Sequence, residues 1–204
     1  KLYKKELKNS IRLNLTTIDM PNNLFPNIED KMGLMSLDYN IFLKEWLYIG
    51  SGMKAAITGD QGGLFTLGVE TGISKKLYKS LYFDTNIYFG GGGGYRYLVN
   101  DGGLINPNIG IKLKNKNYSI GLQYSYMNFY SGEIKSNSIS VFAEVPIILR
   151  MANYREALKT FIAKDYESVK LWNKPATKTA QQIRFDFLFP IGNSKRDNGT
   201  PIEE

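Results

Sequence analysis

The sequence predicts an all-β protein: a closed antiparallel transmembrane β-barrel of eight to ten strands, with a short helical segment near 151–165. Three observations predict it. Apolar and polar residues alternate with period two in nine segments, the signature of strands with one oily face. The polar face of those segments carries a nearly balanced set of charges, separated by Gly, Ser, Thr and Asn. No run of about 18 apolar residues occurs, so no helix is suited to cross a bilayer.

The segments follow in chain order. IRLNLT (11–16) sets Ile11, Leu13 and Leu15 against Arg12, Asn14 and Thr16. Residues 32–42 and 46–57 alternate more loosely and place Asp38 and Lys54 on the polar face. FTLGVETGI (65–73) sets Phe65, Leu67, Val69 and Ile73 against Thr66, Gly68, Glu70 and Gly72. LYFDTNIYF (81–89) sets Leu81, Phe83, Ile87 and Phe89 against Asp84 and Asn86. INPNIGIKL (105–113) opposes three isoleucines and Leu113 to Asn106, Asn108, Gly110 and Lys112. YSIGLQYSYMNFY (118–130) puts Tyr118, Ile120, Leu122 and Tyr124 on one face and Ser119, Gly121, Gln123 and Ser125 on the other. SISVFAEVPI (138–147) opposes Ile139, Val141, Ala143 and Val145 to Ser138, Ser140 and Glu144. IRFDFLFPI (183–191) opposes Ile183, Phe185, Phe187 and Phe189 to Arg184 and Asp186. ESVKLW (167–172) is a weaker tenth segment. Many short strands with regular turns mean a barrel or a sandwich.

The polar face chooses between a soluble and a membrane barrel. Its charges are Arg12, Asp38, Lys54, Glu70, Asp84, Lys112, Glu144, Arg184 and Asp186, four positive and five negative. They sit mid-strand, nearly one per strand. A solvated face would carry long charged chains at most outward positions. Here Gly and Ser are as common as charge, as if space were short. That fits a narrow lumen packed with ion pairs, with the oily face turned to lipid. Aromatic residues at segment ends, Tyr118 with Tyr130 and Phe83 with Phe89, suit a membrane–water interface.

Connections support the same reading. Short joins at 43–45, 74–80 and 114–117 alternate with longer or Gly-rich ones at 19–31, 58–64, 90–103 and 131–137. Short turns at one end and longer loops at the other are the habit of bacterial outer-membrane barrels. Residues 151–165 repeat Tyr154, Leu158, Phe161 and Ile162 at helical spacing and read as a periplasmic or interfacial helix. Because IRFDFLFPI repeats the pattern of the eighth strand, ten strands are preferred to eight, followed by a polar tail at 192–204. The whole chain, 1–204, then reads as one barrel domain. The N-terminal KLYKKELKN shows no signal-peptide pattern, and nothing follows from that, since a chain with its signal removed would read the same.

With these alternating segments, and with proline at the strand ends 145–147 and 189–191, the chain resembles the small outer-membrane β-barrel families of Gram-negative bacteria. These are the eight-stranded adhesin-like and lipid A deacylase-like barrels and the ten-stranded omptin type. The resemblance is architectural and no motif selects a subgroup. It implies a bacterial outer-membrane location and contact with lipopolysaccharide and phospholipid.

The enzymes among those barrels work through histidine, and this chain has none. It also lacks cysteine, which excludes disulfides, thiolate metal sites and a cysteine nucleophile within this chain. The expectation is therefore a non-enzymatic barrel without cofactor or metal. Carboxylate pairs such as Asp84 with Glu70, or Glu144 with Asp186, read as lumen ion pairs rather than as acid–base machinery. The net charge of +7 is spread over turns and termini, with no basic, aromatic-interleaved face for nucleic acid.

Five glycines, Gly90, Gly91, Gly92, Gly93 and Gly94, follow a strand pattern. No Gly-Lys-Ser/Thr accompanies them, so they are no phosphate loop. They read as a strand end bare on both faces, either a curled rim or a groove for a partner or lipid. The function expected is a structural anchor or accessory subunit of an envelope assembly, bound to another envelope protein. The alternatives are a lipid-modifying enzyme with a histidine-free site, a narrow solute channel, or a soluble ligand-binding barrel.

Overall fold

The computed structural model describes residues 4–21, 29–59, 63–94 and 96–152. Eight strands follow one another: β1 (Lys4–Asp19), β2 (Lys31–Phe42), β3 (Leu47–Thr58), β4 (Phe65–Tyr78), β5 (Leu81–Gly93), β6 (Gly103–Lys114), β7 (Ser119–Phe129) and β8 (Lys135–Ala152). One helical turn, α1 (Arg96–Val99), lies between β5 and β6. Each strand pairs antiparallel with its sequence neighbour, and β8 returns to pair with β1, so the sheet is a closed barrel. The shortest strand has 11 residues, enough for a tilted strand to cross a bilayer core.

Among the described residues the closed barrel has eight strands, not the ten preferred from sequence. β1 is paired on both sides, Arg12 facing Asp38 of β2 and Glu144 of β8. Closure leaves no open edge for a further strand. The segments 167–172 and 183–191, with Arg184 and Asp186, lie outside the described residues, as do 153–165 and the tail 192–204. Met151 and Ala152, counted into the helical segment, instead extend β8, paired with Lys5 and Lys4.

The alternation of connections holds. The joins 43–46, 79–80 and 115–118 mark one end, and 20–30, 59–64, 94–102 and 130–134 mark the other. Two expected connections are shorter than read. β4 runs on to Tyr78 past a register shift, leaving only Lys79–Ser80 as the turn. Gly90–Gly93 belong to β5 and pair with β4, since glycine loses no ladder hydrogen bond by lacking a side chain. Lys79 takes a positive φ of 44° at this tightest turn.

Proline within β6 has a visible consequence. The β6–β7 register passes from Ile105↔Asn128 to Asn108↔Ser125, with a gap around Pro107, which has no N–H to give. The Asn106 side chain fills part of the gap by donating to the Tyr126 carbonyl at 3.0 Å.

The two faces separate as the period-two reading requires. In β7 the pattern is strict: Ser119, Gly121, Gln123, Ser125 and Met127 are buried, and Ile120, Leu122, Tyr124 and Tyr126 are exposed. Leu67, Leu122, Ile139 and Val141 are each more than half exposed, while Arg12, Asp84, Lys112 and Glu144 are at most 4% exposed. An apolar exterior around an ionic interior is the inverse of a soluble barrel.

Candidate functional site

The barrel interior is the candidate site, and it is built in layers. Toward the short-turn end lies a ring of four charges. Arg12 (β1) bonds Glu144 (β8) at 2.6 Å and reaches across the lumen to Asp84 (β5) at 3.0 Å. Lys112 (β6) closes the ring, 2.8 Å from Asp84 and 3.2 Å from Glu144. Two cations and two anions alternate, so each charge meets two of opposite sign. Tyr48 (β3) ties the ring to the wall. Its hydroxyl accepts from Arg12 at 3.3 Å and donates to Asp84 at 3.1 Å. The Arg12 guanidinium also lies 4.5 Å over the Phe142 ring.

Above the ring is an amide and hydroxyl layer. Asn108 donates to Asn86 at 2.7 Å, Gln123 donates to Asn14 at 3.3 Å, and Ser125 donates to Asn108. Asn14 donates to Asp38 at 2.8 Å. Glu70 is buried nearby, and Lys54 interacts electrostatically with both Asp38 and Glu70 while lying 4.4 Å over the Tyr88 ring. The void left among Asn14, Ser36, Lys54, Asn108, Gln123 and Ser140 measures about 20 Å³, room for about one water.

At the loop end the interior turns apolar. Ile18, Met32, Leu34, Leu104, Met127 and Phe129 point inward, and Leu98 and Val99 of α1 pack among them. The chain of α1 is tied in by Glu133, whose backbone N–H donates to the Leu98 carbonyl at 2.9 Å. Eight strands enclose an interior just wide enough for side chains to fill, and these three layers fill it.

Seven of the nine lumen charges read from sequence are described, and all seven point inward: Arg12, Asp38, Lys54, Glu70, Asp84, Lys112 and Glu144. The pairing differs from the carboxylate pairs considered. Asp84 meets Glu144 through shared cations rather than approaching Glu70. Sequence reasoning missed the inward aromatics Tyr48, Tyr88 and Phe142, and the whole apolar cap. The signal for Tyr88 and Phe142 was present: both share parity with charged residues of their own strands.

The glycines complement those rings. A Cβ on Gly68 would stand 2.6 Å from the Tyr88 ring, and one on Gly90 would stand 2.7 Å from the Leu67 carbonyl. A Cβ on Gly121 would collide with Phe142. In the five-glycine run the two parities have different surroundings. Gly90 and Gly92 face crowded space, whereas a Cβ at Gly91 would only graze the Gly102 carbonyl at 3.6 Å and one at Gly93 would meet nothing.

The outside wall has its own geometry. Trp46, Tyr78 and Tyr118 stand exposed at the short-turn end, and Phe65, Phe89 and Tyr130 at the loop end, flanking an aliphatic belt. Charge is divided between the rims. Among the described residues, the short-turn rim exposes Lys8, Lys44, Lys75, Lys76, Lys79, Lys114 and Lys116 against one acid, Glu45. The loop rim exposes Asp19, Glu29, Asp30, Asp101 and Glu133 against Lys31 and Lys135.

An eight-stranded closed barrel, lipid-compatible outside and packed with charged and amide side chains inside, is an integral-membrane β-barrel of the small, filled kind and resembles outer-membrane barrels. Solved structures similar to it belong to that class. The attachment protein Ail of Yersinia pestis in a phospholipid bilayer nanodisc is 10% identical over 69% of this chain and 99% of its own, with a TM-score of 0.46. Neisserial surface protein A is 7% identical over 70% and 98%, with a TM-score of 0.45. A de novo designed transmembrane β-barrel is 11% identical over 70% and 95%, with a TM-score of 0.45. No protein-family model and no curated protein sequence matches the chain. The class rests on the chain's own closure and sidedness.

Proposed function

We propose that the chain is a bacterial outer-membrane barrel that serves as a non-enzymatic structural anchor or accessory subunit of an envelope assembly. The observation that carries this reading is the filled lumen. The charges Arg12, Asp84, Lys112 and Glu144 are engaged with one another, the amides of Asn14, Asn86, Asn108 and Gln123 are bonded, and the loop end is stoppered by apolar side chains. A channel needs a continuous wet path, and the void in the amide layer holds about one water. A hydrolase needs a nucleophile and a base. The sequence has neither histidine nor cysteine, and Asp84 and Glu144 are committed to Arg12 and Lys112. What remains for interaction among the described residues is the surface: two rims of opposite charge and the outer wall.

The test has three arms. Mild crosslinking in native outer membranes, followed by purification, is expected to recover a defined envelope protein in stoichiometric amount. Planar-bilayer recording is expected to show no unit conductance. Steady conductance steps would support the solute channel instead. Turnover of purified phospholipid or lipopolysaccharide, lost on Asp84→Asn or Glu144→Gln, would establish the enzyme reading and overturn this one.

A further inference from the structure

Closure seals the wall, but two of its strands outrun it at the short-turn end. β8 pairs with β7 only as far as Glu144, opposite Ser119, and continues on β1 alone to Ala152. β1 pairs with β2 only from Asn9, opposite Ile41, and its residues 4–8 pair with β8 alone. A two-stranded ribbon therefore projects past the rim, and among the described residues neither of its outer edges has a partner strand. The ladder fixes which backbone groups are left over. Just before β8 the Ile134 carbonyl accepts from the Phe129 N–H at 3.1 Å, so even-numbered residues turn their N–H and C=O toward β7. The register of β8 then runs without a shift to Ala152. Past Glu144 the same set, Pro146, Ile148, Arg150 and Ala152, faces the side where β7 has ended. The odd-numbered set stays turned to β1.

The two edges differ. The β1 edge reads KKELK (4–8), with Lys4, Glu6 and Lys8 at the positions whose backbone turns away from β8. Charged residues of that kind keep natural sheet edges from pairing. The β8 edge reads VPIILRMA (145–152). Its guard is Pro146, whose missing N–H lies on the open side next to the wall. Beyond it Ile148, Arg150 and Ala152 each present N–H and C=O, on a strand segment of about 25 Å. Val145 and Ile148 are each more than half exposed.

We propose that this edge is completed by one extended segment of another envelope protein, added as a further strand beside residues 145–152. The proposal rests on the accessory-subunit reading under Proposed function and adds to it the docking surface and its mode. Donors and acceptors repeating at every second residue are matched by another extended backbone, and the main chain then supplies the affinity. A second copy does not fit. Copies in one membrane share an up direction, and a two-fold axis along the membrane normal would set each edge residue opposite itself, N–H toward N–H. The lysine-rich short-turn rim selects the flank of the incoming segment, which is apolar beside Val145 and Ile148 and acidic where it leaves the ribbon. In an outer membrane this end faces the periplasm.

The experiment uses the full chain in native outer membranes, with a photo-crosslinking amino acid placed singly at Ile148, at Arg150 or, as an outer-wall control, at Leu67. One envelope protein is expected to crosslink from the first two positions and not from the third. Peptide mapping should find the captured segment apolar at alternate positions, with Asp or Glu close by. The double variant Ile148→Pro/Arg150→Pro removes two N–H groups that the barrel does not use. It should lower partner recovery by mild chemical crosslinking on the order of tenfold, with heat-modifiable gel migration unchanged. Ile148→Thr, which keeps the backbone and alters the side chain, should retain most of the recovery. If the double variant does not fold, Ile148→Pro alone makes the same test, and the crosslinking map needs no proline. Unchanged recovery in a folded proline variant would overturn the proposal. So would crosslinks from this edge that map to residues 153–204 of the same chain, to a second copy at doubled mass, to a basic segment, or to no protein. A partner captured elsewhere on the chain but not from this edge would sink this proposal and leave the accessory-subunit reading standing. Capture of no envelope protein from any position would sink that reading as well.

Discussion

Removing Arg12 tests the charge ring most directly. Arg12→Met deletes the contacts to Glu144 at 2.6 Å, to Asp84 at 3.0 Å and to the Tyr48 hydroxyl at 3.3 Å. It leaves two buried carboxylates and one cation, Lys112. Breaking a buried pair by removing one partner costs about 3–5 kcal/mol, because an uncompensated charge stays in a poor solvent. An exposed pair such as Lys8–Glu45, at 3.4 Å on the surface, contributes only ~0–1 kcal/mol. The double variant Arg12→Met/Glu144→Met removes one charge of each sign and leaves Lys112 on Asp84 at 2.8 Å. It should therefore lie closer to wild type than the single variant does. The assay is equilibrium urea unfolding in phospholipid vesicles, followed by tryptophan fluorescence, at about 0.05 and 0.5 M salt. The single-variant loss should not change with salt, since buried pairs are screened little. A single-variant loss below about 1 kcal/mol, or a double variant worse than the single, would refute the claim that the ring is buried and mutually compensated.

Three further outcomes follow from the same geometry. Gly90→Ala should destabilise by about 1–3 kcal/mol through overpacking against the Tyr88 ring and the Leu67 carbonyl, while Gly93→Ala should stay within about 0.5 kcal/mol; thermal migration shifts on gels compare them. Leu122→Arg on the outer wall should cost about 2–4 kcal/mol in a bilayer, and an unchanged midpoint in vesicles would argue that this face does not meet lipid. Phe129→Ala should cost about 3–5 kcal/mol by opening a cavity in the loop-end cap, with protease sensitivity of the 94–102 loop rising in parallel.

Much of this molecule was legible before any coordinates. A strand's side chains alternate strictly, so parity within each segment assigned Asp84, Lys112 and Glu144 to one face without knowledge of neighbours. Polar spacing by glycine and serine identified that face as cramped. The cap was hidden for the same reason. Parity says which way Ile18, Met32, Leu104 and Phe129 point, but oily residues on the polar face looked like weak alternation. Only the placement of all their strand ends at one mouth makes them a cluster.

The sequence by itself determined the inside and the outside of the wall, because period two is a local property of each strand. Closure decided the rest. Arg12 and Glu144 stand 132 positions apart and became direct cross-strand neighbours only when β8 paired with β1. The number of strands, the partner each charge found across the lumen, and the backbone bond from Lys114 to Ser80 at one rim all depend on how the sheet curls. That is a matter of register and stagger between strands, which no single segment encodes.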